Sequence, residues 1–437
     1  MTSDYLSDLL HELDSAQGAH AYLSRYATGT QPLAFISPES RKALGNRLST
    51  MAVNVPALAV SSLVERLRVS GFSDPRAWEL FVAADLDQLA ADAMTDALTY
   101  GCGYVLVWSK DGRPTATVER ADQCAVLRDP ADRTVVAGVK RYETKTDTHA
   151  YLYLPDRIEH WRAPRTGAAV SGYVLAETVP HPFGMVPLVP VDNGHSEITD
   201  IIPLTDLLVK TLTDMACAGE AAGKPRRWIS GLELIERARL DQDGNAVLDV
   251  DGQPIIDVVS PIADLNTIQT MVSESVDTKF GQLPGTDLSG FEAGVRIILS
   301  QIMAVSALPS HYLGILTSQP SSADALRASE ASLTARAEAR QLRFGRAWEQ
   351  VGKLLIAADT GADPADIALR VQWSPADTRS EAQATDAVVK LVQAGILPAS
   401  WALKRLGYSD DDITLIRAAK RAEALDLQGF GLAGGEQ

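Results

Sequence analysis

Residues Ser322–Asp359 carry one helical pattern through 38 positions. At ~1.5 Å per residue that is a rod of about 57 Å. Ser321 and Asp324 stand where a cap and its partner belong. Leu326, Leu333, Ala337, Phe344, Trp348, Val351 and Leu355 form a packing stripe, and Arg327, Arg336, Arg340, Arg343 and Arg346 stud the opposite faces. A helix of this length exceeds what an average compact domain holds. The chain is therefore expected to be an elongated protomer.

Elsewhere the periodicity alternates between helix and strand. Pro56–Leu67 and Trp78–Tyr100 have apolar residues at helical spacing, the second with Leu80, Ala84, Leu86, Leu89, Ala93 and Leu98 before the stops Gly101 and Gly103. Tyr104–Trp108, Val135–Tyr142, Ala150–Leu154 and Arg157–Arg162 read as strands, with Asp111-Gly112 as a hairpin signal. Val179–Asp192, with Pro180, Pro182, Pro187 and Pro190, reads as an extended connector. Leu204–Ala222 is helical behind Pro203. Trp228–Ser260 is strand-like, with turns at Asp243-Gly244 and Asp251-Gly252. Ser289 and Glu292 form a capping box on a helix striped by Phe291, Val295, Ile298, Ile302 and Val305 and stopped by Pro309. Trp373 lies in the last strand-like run. Ser380 and Gln383 open a helix ending at Gly395, and a final helix covers Asp410–Leu427. The Gly-rich Gly429–Gln437 is expected to be disordered. The fold class is α+β and mainly helical.

Charge narrows the function. Forty basic against 56 acidic residues leave a net of −16. A tight, sequence-blind nucleic-acid binder needs a basic surface, and an anionic membrane repels such a chain. Ile297–Ala323 carries no formal charge, but Gln301, Pro309, His311, Gln319, Pro320 and seven Ser/Thr make it a poor membrane span. Met1–Asp14 has four acids and no basic stretch, unlike a signal peptide. Cys102, Cys124 and Cys217 form no CxxC pair, which argues against a disulfide framework or a Cys-rich zinc site and fits a reducing interior.

The motifs that suggest chemistry fail on inspection. Gly219–Pro225 is one residue short of a phosphate loop, with Pro225 where a Ser or Thr must hold magnesium. Asp241, Asp243 and Asn245 begin like a calcium loop, but Ala246 and Gly252 stand where Gly and Glu are required. Hairpin turns account for the same residues. The seven His show no ligand spacing, and no carboxylates gather into a site, so no catalytic residue, cofactor or metal is assigned. Asp241–Glu292 holds ten acids against Lys279 alone, just after Arg226, Arg227, Arg237 and Arg239. It reads either as a solvated charge run or as a polarised docking surface between copies or partners.

An ordered set of phrases runs through nearly the whole chain: Tyr22-Leu-Ser-Arg-Tyr26, Asn54-Val55-Pro56, Gly101-Cys-Gly-Tyr-Val-Leu-Val107, His181-Pro-Phe-Gly184, Glu197-Ile-Thr-Asp200, Asp287-Leu-Ser-Gly290, Leu308-Pro-Ser-His-Tyr-Leu313-Gly314, Ser321-Ser-Ala-Asp324 and Trp373-Ser-Pro375. In that order the chain resembles the portal proteins of tailed bacteriophages, of the type common in long-tailed phages of actinobacteria. The resemblance implies a protomer with wing, stem, clip and crown regions, assembling into a dodecameric ring at one capsid vertex of the virion. By order, residues 1–202 are the wing, 203–223 the first stem helix, 224–287 the clip, 288–309 the second stem helix and 310–321 the tunnel loop. Residues 322–379 are the long wing helix and following strand, and 380–437 the crown.

It further implies a channel through which double-stranded DNA is packaged and ejected. The partners would be the terminase motor, the major capsid and scaffolding proteins and the head–tail adaptor, with no membrane. Thr317, Ser318, Gln319, Pro320 and Ser321 are then the candidates to touch DNA, and Arg226, Arg227, Arg237 and Arg239 the candidates for clip docking. A polar, uncharged loop in an acidic ring lets a duplex slide. Another head-assembly or adaptor protein is the alternative, disfavoured by two stem-like helices flanking a strand-rich insert. An enzyme would need a clustered site.

Overall fold

A computed structural model describes residues 2–32, 38, 53–110, 112–223, 227–230, 235–241, 244–249, 251–259, 277–282, 288–314, 323–377, 381–406, 408 and 410–433. It divides into two units, residues 1–321 with 332–374, and residues 322–331 with 375–437.

The first unit opens with α1 (Thr2–Ala27), followed by α2 (Val55–Val64), β1 (Val69–Phe72), α3 (Pro75–Ala83) and α4 (Leu86–Tyr100). The helix expected over Trp78–Tyr100 is therefore two. The break is at Asp85, which takes a left-handed φ of 56°, a conformation Asp tolerates better than most residues. Reorienting the axis there buries both Phe81 and Leu86 completely.

β2 (Cys102–Lys110), β3 (Arg113–Glu119) and β9 (Leu188–Asp192) form an antiparallel sheet in the order β3-β2-β9. Lys110 faces Arg113 across the expected two-residue turn. The proline-rich connector thus ends as a strand. Pro190 faces Tyr104 on the sheet's edge, where a missing N–H is tolerated. β4 (Cys124–Arg128), β5 (Val135–Glu143), β6 (Thr148–Tyr153), β7 (Arg157–Ala163) and β8 (Val174–Pro180) form a five-stranded meander. Leu6, Leu9, Leu10 and Leu13 of α1 bury against Ala125, Ala137, Val139, Ala150 and Leu152. The three alanines make a shallow face on which a leucine-rich helix seats closely. A second core gathers Tyr104, Cys124, Tyr153, Ile158, Val186 and Leu188.

Gln17, His20 and Ser24 of α1, Asp96 and Tyr100 of α4, and Arg120 to Asp122 line a cavity of about 420 Å³. Burial pushes the Asp96 carboxyl up to about 6. A carboxyl whose folded value lies above its unfolded one binds more protons when folded, so its contribution is favourable at low pH and is lost as pH rises through about 6. Asp96→Asn is expected to raise the melting temperature at pH 7 and to leave it nearly unchanged at pH 4. Thermal melts of both proteins across that range check this.

α5 (Ile202–Gly223), β10 (Arg227–Ser230), β11 (Ile235–Ala238), β12 (Ile256–Val259), β13 (Lys279–Gln282) and α6 (Ser289–Ser306) follow. Ser289 is the first residue of α6 rather than its cap, and Leu288 takes the cap position with no side-chain bond. The capping box is not built. Glu292 pairs instead with Arg296 one turn on, at 2.8 Å.

α7 (Ala323–Thr360) has 38 residues, as expected, while Ser321 and Ser322 lie outside the described residues. Leu333, Ala337, Phe344, Trp348, Val351 and Leu355 of its stripe are buried. Leu326 is not; it is 36% exposed. Trp348 meets Phe81 edge-on at 5.8 Å, and β14 (Val371–Trp373) pairs antiparallel with β1 beside it.

The second unit holds the start of α7 with α8 (Glu381–Gln393), α9 (Ala399–Arg405) and α10 (Asp410–Ala433). α10 runs six residues past the expected Leu427, into the stretch expected to be disordered. Val388, Ala402 and Ile413 are buried within it.

Candidate functional site

α5 and α6 pack on each other. Thr205, Leu208, Val209 and Thr213 of α5 and Ile298, Ile302 and Ser306 of α6 are buried. The hydroxyls of Thr205, Thr213 and Ser306 donate to carbonyls one turn back, those of Ile201, Val209 and Ile302, at 2.7–2.8 Å. Small polar residues so satisfied let two helices approach at no unpaired cost. Beyond the helices, Arg227 to Ser230 pair antiparallel with Gln282 to Lys279. In chain order the helix pair brackets the strand pair, and the two together are the arm. Leu207 and Ile297 stay 51% and 63% exposed on its flanks.

At the arm's other end the chain is pinned. α6 closes at Ala307, with Leu308 and Pro309 buried, and Ser310–Leu313 makes one tight turn. Arg66 donates to the Tyr312 hydroxyl at 3.3 Å. Arg336 of α7 donates to the Val305 carbonyl at 2.9 Å, capping the end of α6 where carbonyls lack partners.

Arg336 and Arg340 also converge on Glu197, which is 5% exposed. Arg340 Nε reaches its Oε1 at 2.8 Å, and the Asn193 amide donates to the same oxygen at 3.1 Å. Arg343 Nε donates to the Asp192 carbonyl at 2.8 Å. Three of the arginines expected on the faces opposite the stripe therefore bind Asp192 at the end of β9 and Glu197 just beyond it. The signal was in the spacing. Leu333, Ala337, Arg340 and Phe344 step by four, three and four, so Arg340 occupies a core position and demands a buried carboxylate.

The candidate channel residues Thr317, Ser318, Gln319, Pro320 and Ser321 lie outside the described residues, as does Arg226. Arg227 sits in β10 opposite Gln282. Arg237 faces Asp257 across β11 and β12. Arg239 is held by the Asp257 carboxylate at 2.6 and 3.0 Å, so its charge is paired within the strand-rich insert itself. Of the calcium-like acids, Asp241 serves its own turn, its Oδ1 accepting from the Asn245 N–H at 2.9 Å, and Asp243 lies outside the described residues. Burial pushes the Cys102 and Cys124 thiols up, away from thiolate chemistry. No group of three or more His, Cys, Asp or Glu among the described residues is placed to hold a metal, and no described helix is long and apolar enough to cross a membrane.

The model of the phage portal protein family of the SPP1 Gp6-like type matches residues 65–425. The chain belongs to that family. Portal proteins of Mycobacterium phages D29 and L5 are each 28% identical to it over 414 residues, covering 87% of this chain and 81% of theirs. Among solved structures, a chain of the neck of a native gene transfer agent particle, computed with C12 symmetry, is similar with a TM-score of 0.46 and 15% identity. That likeness covers 87% of this chain and 97% of the other. As a tailed-phage portal protein, the chain is a structural component of the virion, at the portal vertex.

Proposed function

We propose that about twelve copies form a ring whose central channel passes double-stranded DNA during packaging and ejection. The observation that carries this is the α5–α6 arm with its strand pair, inside a chain of the portal family. In a ring, the exposed Leu207 and Ile297 on the flanks of the arm would be covered by neighbouring copies. The net charge of −16, repeated around the ring, keeps the wall from trapping phosphates. In this reading residues 310–321 are the tunnel loop, and residues 224–287 are the clip that meets the terminase motor and then the head–tail adaptor. Residues 380–437 are the crown. The capsid and scaffolding proteins meet the ring during head assembly.

Electron microscopy with mass determination tests the ring. A turbine-shaped particle of about 560 kDa, twelve times the 46.9 kDa chain, is expected. A closed dimer would sink the reading. Replacing Ser318 and Gln319 by Lys is expected to slow packaging several-fold, because added cations hold phosphates in the channel. A DNase-protection packaging assay reads this out, and an unchanged rate would remove these residues from the channel.

A further inference from the structure

Three elements enclose the cavity of about 420 Å³ beside α1. Gln17, His20, Ala21 and Ser24 come from α1, Asp96 and Tyr100 from α4, and Arg120 to Asp122 from the turn after β3. Its size is that of a small-molecule site. Its wall mixes the methyls of Ala21 and Ala121 with amide, hydroxyl, phenol, imidazole and carboxyl groups. None of these residues belongs to the α5–α6 arm or to the Glu197 network.

The polar groups of this wall are unequally served. Arg120 grips Asp122 with two nitrogens, Nε on Oδ1 at 2.9 Å and a terminal nitrogen on Oδ2 at 2.6 Å, so these two charges answer each other. The Gln17 amide donates to the Asp122 carbonyl at 2.6 Å, which ties α1 to the turn. Asp96 is the exception. Among the described residues its carboxyl accepts one hydrogen bond, a long one from the Ala121 N–H at 3.4 Å, and forms no ion pair. His20 stands on the same wall. Its ring lies 5.2 Å from that of Tyr100, and its buried Nδ1 has no partner. Burial holds the imidazole below its ordinary value, so it is neutral at pH 7. A desolvated carboxylate without a counter-charge and a neutral imidazole nitrogen without a donor lack the same thing, a positively charged N–H group. A metal ion is the poorer answer, because no three His, Cys, Asp or Glu among the described residues are placed to share one.

We propose that this cavity binds a small organic cation, an aliphatic primary amine, with its ammonium on Asp96 beside His20 and its alkyl chain against Tyr100 and the two alanines. An ammonium brings three N–H donors and favours the face of an aromatic ring. The bound amine would lock α1, α4 and the turn after β3 to one another. The proposal goes beyond the channel reading and does not depend on it.

The probe is n-butylamine, with n-butanol as its uncharged match in shape. Saturation-transfer NMR, observed on the ligand, measures both affinities with the full-length protein, whether single chain or ring. It compares wild type, Asp96→Asn and Glu79→Gln, the last removing an exposed acid that is not part of the cavity. Wild type is expected to bind butylamine about tenfold more tightly than butanol. Asp96→Asn is expected to bind the two alike, and Glu79→Gln to match wild type. A second measurement needs no variant. The amine requires Asp96 ionised, and that carboxyl titrates at about 6, so wild-type affinity is expected to fall about tenfold from pH 7.5 to pH 5. The other titratable and charged groups around it are Asp92 on the same helix, Tyr100, His20 of α1, and Arg120 and Asp122 of the turn. Arg120 holds Asp122 low, so Asp122 stays ionised through this range, while any charge gained by His20 repels the amine and adds to the same trend. Butylamine is charged at both pH values. The proposal is overturned by undiminished binding to Asp96→Asn, by equal affinity for butanol, by equal affinity at the two pH values, or by no binding of butylamine to wild type. If wild type ignores butylamine and Asp96→Asn loses self-association in mass photometry, the occupant is a basic side chain of a second copy and the proposal falls.

Discussion

Glu197→Ala is expected to destabilise the first unit by about 3 kcal/mol, the cost of leaving a buried ion pair half made. The carboxylate is almost wholly buried, while the Arg340 and Arg336 side chains are 16% and 30% exposed. Without it, two guanidinium groups one helical turn apart on α7 face each other with no anion between them. The Asn193 amide loses one of its two acceptors as well, keeping the His195 carbonyl. The effect would not stop there, because Arg336 also caps α6 through Val305. Amide exchange over residues 302–313 should therefore rise more than exchange in α1 and its sheet. Glu197→Gln keeps the shape and one acceptor and should cost less, the difference measuring the charge. The readouts are the first transition in thermal melts and hydrogen exchange by mass spectrometry. A loss below about 0.5 kcal/mol would class the network with solvent-exposed pairs.

Most of the helices and strands are legible from period alone, since burial imposes it. The 38-residue helix is one case, and the three middle strands of the meander are another, each observed within two residues of its expected ends, whereas the outer strands β4 and β8 were not expected. Two kinds of feature escape. One is local: Ser289 is the right residue for a cap, but the chain enters α6 one residue earlier and Leu288 takes the cap position. At Asp85 an unbroken apolar pattern conceals a left-handed residue, because both halves bury the same kind of face. The other is long-range. Glu197 and Arg340 are 143 positions apart, and only the fold brings them together. Likewise, the triangle of backbone hydrogen bonds that joins Arg239, Val247 and Ile255 links segments eight residues apart, which no turn rule states.

Among the described glycines, Gly103→Ala should be the most damaging added methyl. A Cβ on Gly103 would lie far inside contact distance of the Ala93 carbonyl oxygen, 3.0 Å from the Ala93 carbonyl carbon and 3.2 Å from the Ala97 nitrogen. All three are backbone atoms of α4, and no side-chain rotation relieves them. Retreat is closed on the other side as well. β2 is the central strand of its sheet, bonded to β3 over seven residue pairs and to β9 over five. Either α4 lifts from the sheet, exposing Ala93, Met94 and Ala97, or β2 gives up a ladder. Each route costs more than about 3 kcal/mol, and the expected result is aggregation on expression or a collapsed first melting transition. Gly18→Ala is the control. Its Cβ meets nothing within 4 Å in the exposed interior of α1, so the same methyl should gain up to about 1 kcal/mol. Opposite signs from one chemical change would establish that the helix–strand contact, and not glycine content, sets the stability of this unit. If Gly103→Ala melts like wild type, α4 does not seat on β2 as closely as the Ala93 carbonyl contact requires.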